Sequence, residues 1–105
     1  LSCVGSLEQY NLRFANEQTG SSRAGHFEIV SLTGTLSQSS AHIHISVSDH
    51  SGVTVGGHLL DDNLIYTTAE IAIGELTSLE FARVLDPATG YKELEVRTLH
   101  YDVGT

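Results

Sequence analysis

The chain has 105 residues, 40% of them hydrophobic, which is enough for one domain with a core and too little for two. Thirteen acidic residues against five basic ones give a formal charge of −8, so the net field repels phosphate backbones and puts autonomous nucleic-acid binding at a disadvantage. No apolar run approaches the roughly eighteen residues that span a bilayer, and the start lacks the basic-then-apolar order of a signal peptide, so a soluble chain with no membrane partner is expected.

Cys3 is the only cysteine, which excludes an intrachain disulfide and favours a reducing, cytoplasmic setting. It lies between apolar Leu1 and Val4, the setting of a small buried hydrophobe rather than of a reactive thiol. Methionine is absent and the chain opens at Leu1 inside an apolar run, so a preceding segment is expected to be missing.

Short alternating runs of β-branched and aromatic residues, separated by Gly, Ser, Asn and Asp, predict strands joined by turns and little helix. Leu1 to Leu7 and Tyr10 to Ala15 read as two strands, with a break near Gly5-Ser6, and Asn16 to Gly25 reads as a loop. His26 to Leu36 is apolar on much of both faces, as in a central strand covered on both sides, and Gly34 marks a bulge or a close backbone approach. Ala41 to Ser48, Val53 to Leu60 and Leu64 to Leu76 follow, with Gly74 to Ser78 open to one helical turn. Leu79 to Leu85 and Tyr91 to Leu99 form a hairpin through the turn Asp86-Pro87-Ala88-Thr89-Gly90.

Between Ala41 and Ser48, Ile43, Ile45 and Val47 alternate with His42, His44, Ser46 and Ser48, so one face is core and the other polar. His42 and His44 then point the same way, with Cα atoms roughly 6.5 to 7 Å apart, close enough for both imidazoles to reach one ion. His50-Ser51-Gly52 suits a three-residue loop that needs a left-handed residue at its third position. With Asp49 opposite Val53, His44 faces His58, Ser46 faces Gly56 and Ile43 faces Leu59, so every apolar side chain of the hairpin shares one face. A two-residue loop sends His58 to the other face unless Gly56-Gly57 supplies a bulge; the consistency of both faces selects the first register. The two glycines remove bulk beside His58, which points to close approach by a ligand or another subunit. A solvated polar strand that happens to carry imidazoles is the plain alternative to a metal site; three neutral histidines leave a fourth position open, as in catalytic zinc sites.

Other candidates are weaker. Asp61-Asp62-Asn63 reads as a turn that could lend a carboxylate as a fourth ligand, and Glu70, on one face with Tyr66 and Thr68, is a conceivable general base. His26, His50 and His100 have no partner at ligand spacing, and neither a phosphate-cradling glycine pattern nor a nucleophile motif occurs.

Several segments resemble the PPC domain, conserved in plants and prokaryotes: Leu1 to Leu7, Leu12-Arg13-Phe14-Ala15 and His26 to Leu36. More specifically, Ala41-His42-Ile43-His44 is similar to the prokaryotic members' Gly-x-His-x-His motif, with Ala41 close to the expected Gly, and Gly56-Gly57-His58-Leu59 to their Gly-Gly-His motif. Tyr66 to Ile71 and Phe81-Ala82-Arg83 through Asp86 to Tyr91 continue the match. The resemblance implies an α+β, strand-dominated fold around a twisted antiparallel sheet, a homotrimer, and a divalent metal, zinc, held by His42, His44 and His58. It also implies a strand and a helix before the segment matching Leu1, so residues 1–105 are expected to be a single PPC-type domain truncated at its N-terminus. Plant relatives bind DNA through a separate Arg-Gly-Arg-Pro hook that reads the minor groove; no such hook occurs here. The expected function is therefore a metal-binding, homotrimeric module. A metal-dependent enzyme using the open position and a DNA-binding regulator are the alternatives.

Overall fold

A computed structural model describes residues 1–99 and divides the chain into two compact units, one of residues 1–34 and 42–73 and the other of residues 35–41 and 74 onward. Seven strands account for the regular structure: β1 (Ser2–Arg13), β2 (Ser21–Leu36), β3 (Ala41–Ser48), β4 (Thr54–Leu59), β5 (Leu64–Ala72), β6 (Leu79–Leu85) and β7 (Lys92–Thr98). All the strand pairs with a resolved register are antiparallel, and none of the described residues is helical, so the strand-dominated part of the expected α+β fold is what these residues build. No helix among them is long and apolar enough to cross a membrane.

In the first unit β1 is the hub. One of its edges pairs with β2, while the other runs along β5 from Ser2 to Gln9 and then along β4 at Leu12 and Arg13. Because β2, β3 and β4 are also neighbours in that order, the pairings close back on β1, with β5 as an additional edge. The enclosed side holds the core: Cys3, Leu7, Tyr10, Leu12, Phe27, Ile29, Leu32, Ile45 and Val47 are buried, and the Tyr10 and Phe27 rings meet edge to face at 4.9 Å. Burial, then the negative charge of Glu70, push the Cys3 thiol above its ordinary value, as suits an inert core cysteine.

Three sequence expectations about β1 and β2 need correction. β1 is one strand, not two: the register slips between Leu7 and Gln9, which moves the inward positions from Cys3 and Leu7 to Tyr10 and Leu12 without breaking the ladder. The loop after β1 is shorter than Asn16 to Gly25, because Ser21 to Ala24 already pair with Leu12 to Gln9. Backbone hydrogen bonds hold that polar segment in the sheet, a contribution invisible to hydrophobic patterning. β2 is covered on one face only, burying Phe27, Ile29 and Leu32 while Val30 is 59% exposed. Gly34 does mark a close approach: a Cβ there would collide with the His42 carbonyl and Ile43 Cα of β3.

β5 ends at Ala72 rather than Leu76 and carries a bulge over Tyr66 to Thr68, where its partners jump from Gly5–Ala69 to Leu7–Ile65. Thr67 sits there at φ 62°, a left-handed conformation that costs a β-branched residue roughly 1–3 kcal/mol. The second unit contains the β6–β7 hairpin, paired from Leu79–Thr98 to Leu85–Lys92. Its turn is built as expected: Gly90 has φ 76°, its N–H donates to the Asp86 carbonyl at 2.8 Å, and the Asp86 carboxylate accepts from the Ala88 N–H at 2.9 Å.

The β3–β4 turn is the three-residue loop read from His50-Ser51-Gly52. Gly52 is left-handed at φ 79°, its N–H donates to the Asp49 carbonyl, and Asp49 N–H donates to the Val53 carbonyl, both at 2.9 Å. One oxygen of the Asp49 carboxylate accepts from the N–H groups of Ser51 and Val53 at 2.9 and 3.0 Å. Replacing Asp49 with Ala removes both bonds and is expected to cost about 1–3 kcal/mol in urea unfolding. The Asp61→Ala variant, which loses an exposed turn carboxylate, should unfold within about 0.5 kcal/mol of the parent.

Candidate metal centre

The register that follows from this turn is His44–His58, Ile45–Gly57, Ser46–Gly56, Val47–Val55 and Ser48–Thr54. Ile45 and Val47 are buried on the core side, so His44 and His58 project from the opposite face, joined by His42 two residues before His44. The ring centroids lie 5.1 Å apart for His42 and His44, 5.4 Å for His42 and His58, and 5.7 Å for His44 and His58. His42 and His58 are half-buried, His44 is exposed, and one ligand nitrogen of each falls within 4.8 Å of the others.

That geometry fits a metal. Bonds of about 2.1 Å at tetrahedral angles separate ligand nitrogens by about 3.4 Å, so small side-chain rotations bring all three imidazoles onto one ion. Imidazoles suit zinc, copper, nickel or iron and are a poor donor set for magnesium or calcium. Three ligands leave a position for an exogenous group, which is what a binding or reactive centre requires.

The structure separates the other candidates from this cluster. Glu70 pairs with Val4, and Tyr66 follows Ile65, which pairs with Leu7, whereas the histidines meet β1 at Arg13. At about 3.3 Å per residue along β1, Glu70 lies roughly 30 Å and Tyr66 roughly 20 Å from that row. Neither is placed to act as a base there. Asp61 and Asp62 are exposed in the β4–β5 turn and do not join the three imidazoles, and the turn has a structural role instead. Asn11 Nδ2 donates to the Asp61 carbonyl at 2.9 Å, and Asn63 Oδ1 accepts from the Asn11 N–H at 2.7 Å while Asn63 Nδ2 donates to the Leu60 carbonyl at 2.6 Å. His26 meets Tyr66 edge to face at 4.8 Å, and both line a separate cavity of about 250 Å³ with Ser6, Glu28, Asp49 and His50. His100 lies outside the described residues.

The small residues beside His58 have a different cause from the one expected. A Cβ on Gly57 would stand 2.5 Å from the Arg13 carbonyl, so what approaches this backbone is the chain's own β1. The same contact brings in a residue that sequence reading passed over. Arg13 pairs directly with His58, and no spacing rule within the hairpin could have signalled a neighbour on a strand about 45 residues away in sequence.

Comparison with known proteins agrees with this architecture. The chain is 43% identical over 102 residues to "Bifunctional protein GlmU" of Synechococcus sp. (strain JA-2-3B'a(2-13)), covering 97% of this chain and 16% of that protein. The protein of the same name from strain JA-3-3Ab is 45% identical over 96 residues, covering 91% and 16%. The chain thus spans about a sixth of the length of these curated relatives. Among solved structures, a hypothetical protein from Salmonella cholerae-suis (Salmonella enterica) superposes with a TM-score of 0.89 at 42% identity, covering 91% of this chain and 70% of that one. A proposed DNA-binding protein from Bacteroides thetaiotaomicron shares the fold, with a TM-score of 0.64 at 22% identity and coverage of 90% and 71%. The profile of the Plants and Prokaryotes Conserved (PCC, also written PPC) domain matches residues 1–77, which include all three histidines and the hairpin that presents them, and the chain belongs to that family.

Proposed function

We propose that this PPC-type domain binds a divalent metal, zinc, through His42, His44 and His58, and acts as a homotrimeric binding module in the cytoplasm. The observation that carries the reading is the convergence of three imidazoles within 4.8 Å on the outer face of one rigid hairpin. Exposed apolar side chains on β1, β2 and β5, among them Val4, Val30 and Ile71, supply the surface that an assembly would cover. A reaction at the open position remains compatible with the imidazoles, but among the described residues no carboxylate joins them to serve as its base.

Elemental analysis of purified protein is expected to find one metal ion per chain, reduced at least tenfold in His44→Ala, with sedimentation giving three times the 11.3 kDa chain mass. Equal metal in both proteins would remove the site, and a monomeric mass would remove the trimer.

The DNA-binding reading draws support from the description of the Bacteroides relative. The formal charge of −8 opposes it. A gel shift with AT-rich duplex at low salt is expected to show no complex; a shifted band that weakens with added salt would restore that reading.

A further inference from the structure

The row that carries His44 and His58 continues one strand further. β3 and β4 pair His44 with His58, and β4 and β1 pair His58 with Arg13, so three adjacent strands set imidazole, imidazole and guanidinium side by side. Directly paired residues of an antiparallel ladder point to the same face, with Cβ atoms about 4.5–5.5 Å apart. The next pair in the ladder is Leu12 and Leu59, which belong to the core. Arg13 and His58 therefore both project outward.

Charge makes this placement informative. Arg13 and Arg23 are the only Lys or Arg residues of the first unit, and the Arg23 guanidinium lies over the Phe27 ring at 5.7 Å. Arg13 is exposed and takes part in no ion pair among the described residues. Three neutral imidazoles leave the charge of a divalent ion uncompensated, and a guanidinium one strand away adds to it. The Arg side chain is long enough to cross one interstrand spacing of about 4.8 Å and lie over the His58 ring. A ligand that satisfies both the ion and the planar guanidinium needs at least two oxygens and a negative charge, which is the geometry of a carboxylate or phosphate group.

We propose that the three-histidine centre takes a compact oxyanion, a carboxylate or phosphate group, and that Arg13 is the residue that selects it. This rests on the metal-binding reading above. Water or a neutral carbonyl can occupy an open metal position without Arg13; an oxyanion draws on both. Arg13 is a specificity residue on this account and contributes little to holding the metal.

The test uses the whole chain loaded with cobalt(II), whose visible absorption reports its ligands. Acetate, inorganic phosphate and neutral acetamide are titrated into the parent protein, Arg13→Ala and Arg13→Gln, with cobalt content measured in each. Saturable spectral changes are expected with acetate or phosphate and not with acetamide, and the lower half-saturating concentration identifies the preferred oxyanion. In both variants cobalt content should match the parent while the half-saturating anion concentration rises at least tenfold. Equal half-saturation in the parent and both variants would overturn the role of Arg13. Cobalt bound with no anion-dependent change in the parent would overturn the oxyanion itself while leaving the metal site standing. A parent protein that takes up no cobalt would overturn the metal reading and this inference with it. Loss of cobalt from both variants would assign Arg13 to building the site and overturn the selective role.

Discussion

The Asp49 carboxylate holds the N–H groups of Ser51 and Val53 while Gly52 takes the left-handed conformation, and the placement of the three histidines depends on this turn. Side chains alternate along a strand with a period of two, so a slip of one residue in β4 would move His58 from the outer face into the core and bring an apolar side chain outward. Ile45 and Val47 enforce the same register from the other side, because both are buried only when β3 faces the core at odd positions. Local turn chemistry and core burial thus agree, and the imidazoles inherit a fixed position from that agreement.

β1 turns the hairpin into part of a closed structure. Arg13 and Leu12 pair with His58 and Leu59, while Asn11 and Asn63 exchange hydrogen bonds that anchor the turn after β4. The absence of a side chain at Gly57 lets the β1 backbone come this close. Three strands consequently contribute to one outward-facing row, and each of them is paired with a neighbour on both sides. A site on paired strands of this kind keeps its donors in place better than one on loops, which suits ligation at fixed distances.

The electrostatic picture separates the domain as a whole from this one face. Net charge is strongly negative, which disfavours nucleic acid as a default partner. Locally, the outer face of β3, β4 and β1 carries three imidazoles and a guanidinium. On the proposed reading a small anion exploits that contrast, whereas a long phosphate backbone samples the acidic surroundings as well.

The histidine hairpin was legible in the sequence because each of its determinants is local. The alternation from His42 to Val47 names the two faces, Gly52 names the loop, and together they place His44 opposite His58, as observed. The turn at Asp86 to Gly90 is legible for the same reason. The single course of β1, the entry of Ser21 to Ala24 into the sheet and the bulge at Thr67 were not, because backbone pairing with distant segments decides them and leaves no periodic signature. Glu70 and Tyr66 had suitable chemistry in the sequence, and only the pairing of β5 with the first half of β1 put them far from the imidazoles. What the sequence by itself determined is the hairpin and its imidazole face, since turn chemistry and alternation act over a few residues. Only the tertiary structure decided which strand lies beside His58 and so brought Arg13 to it, because that neighbour follows from how the sheet closes.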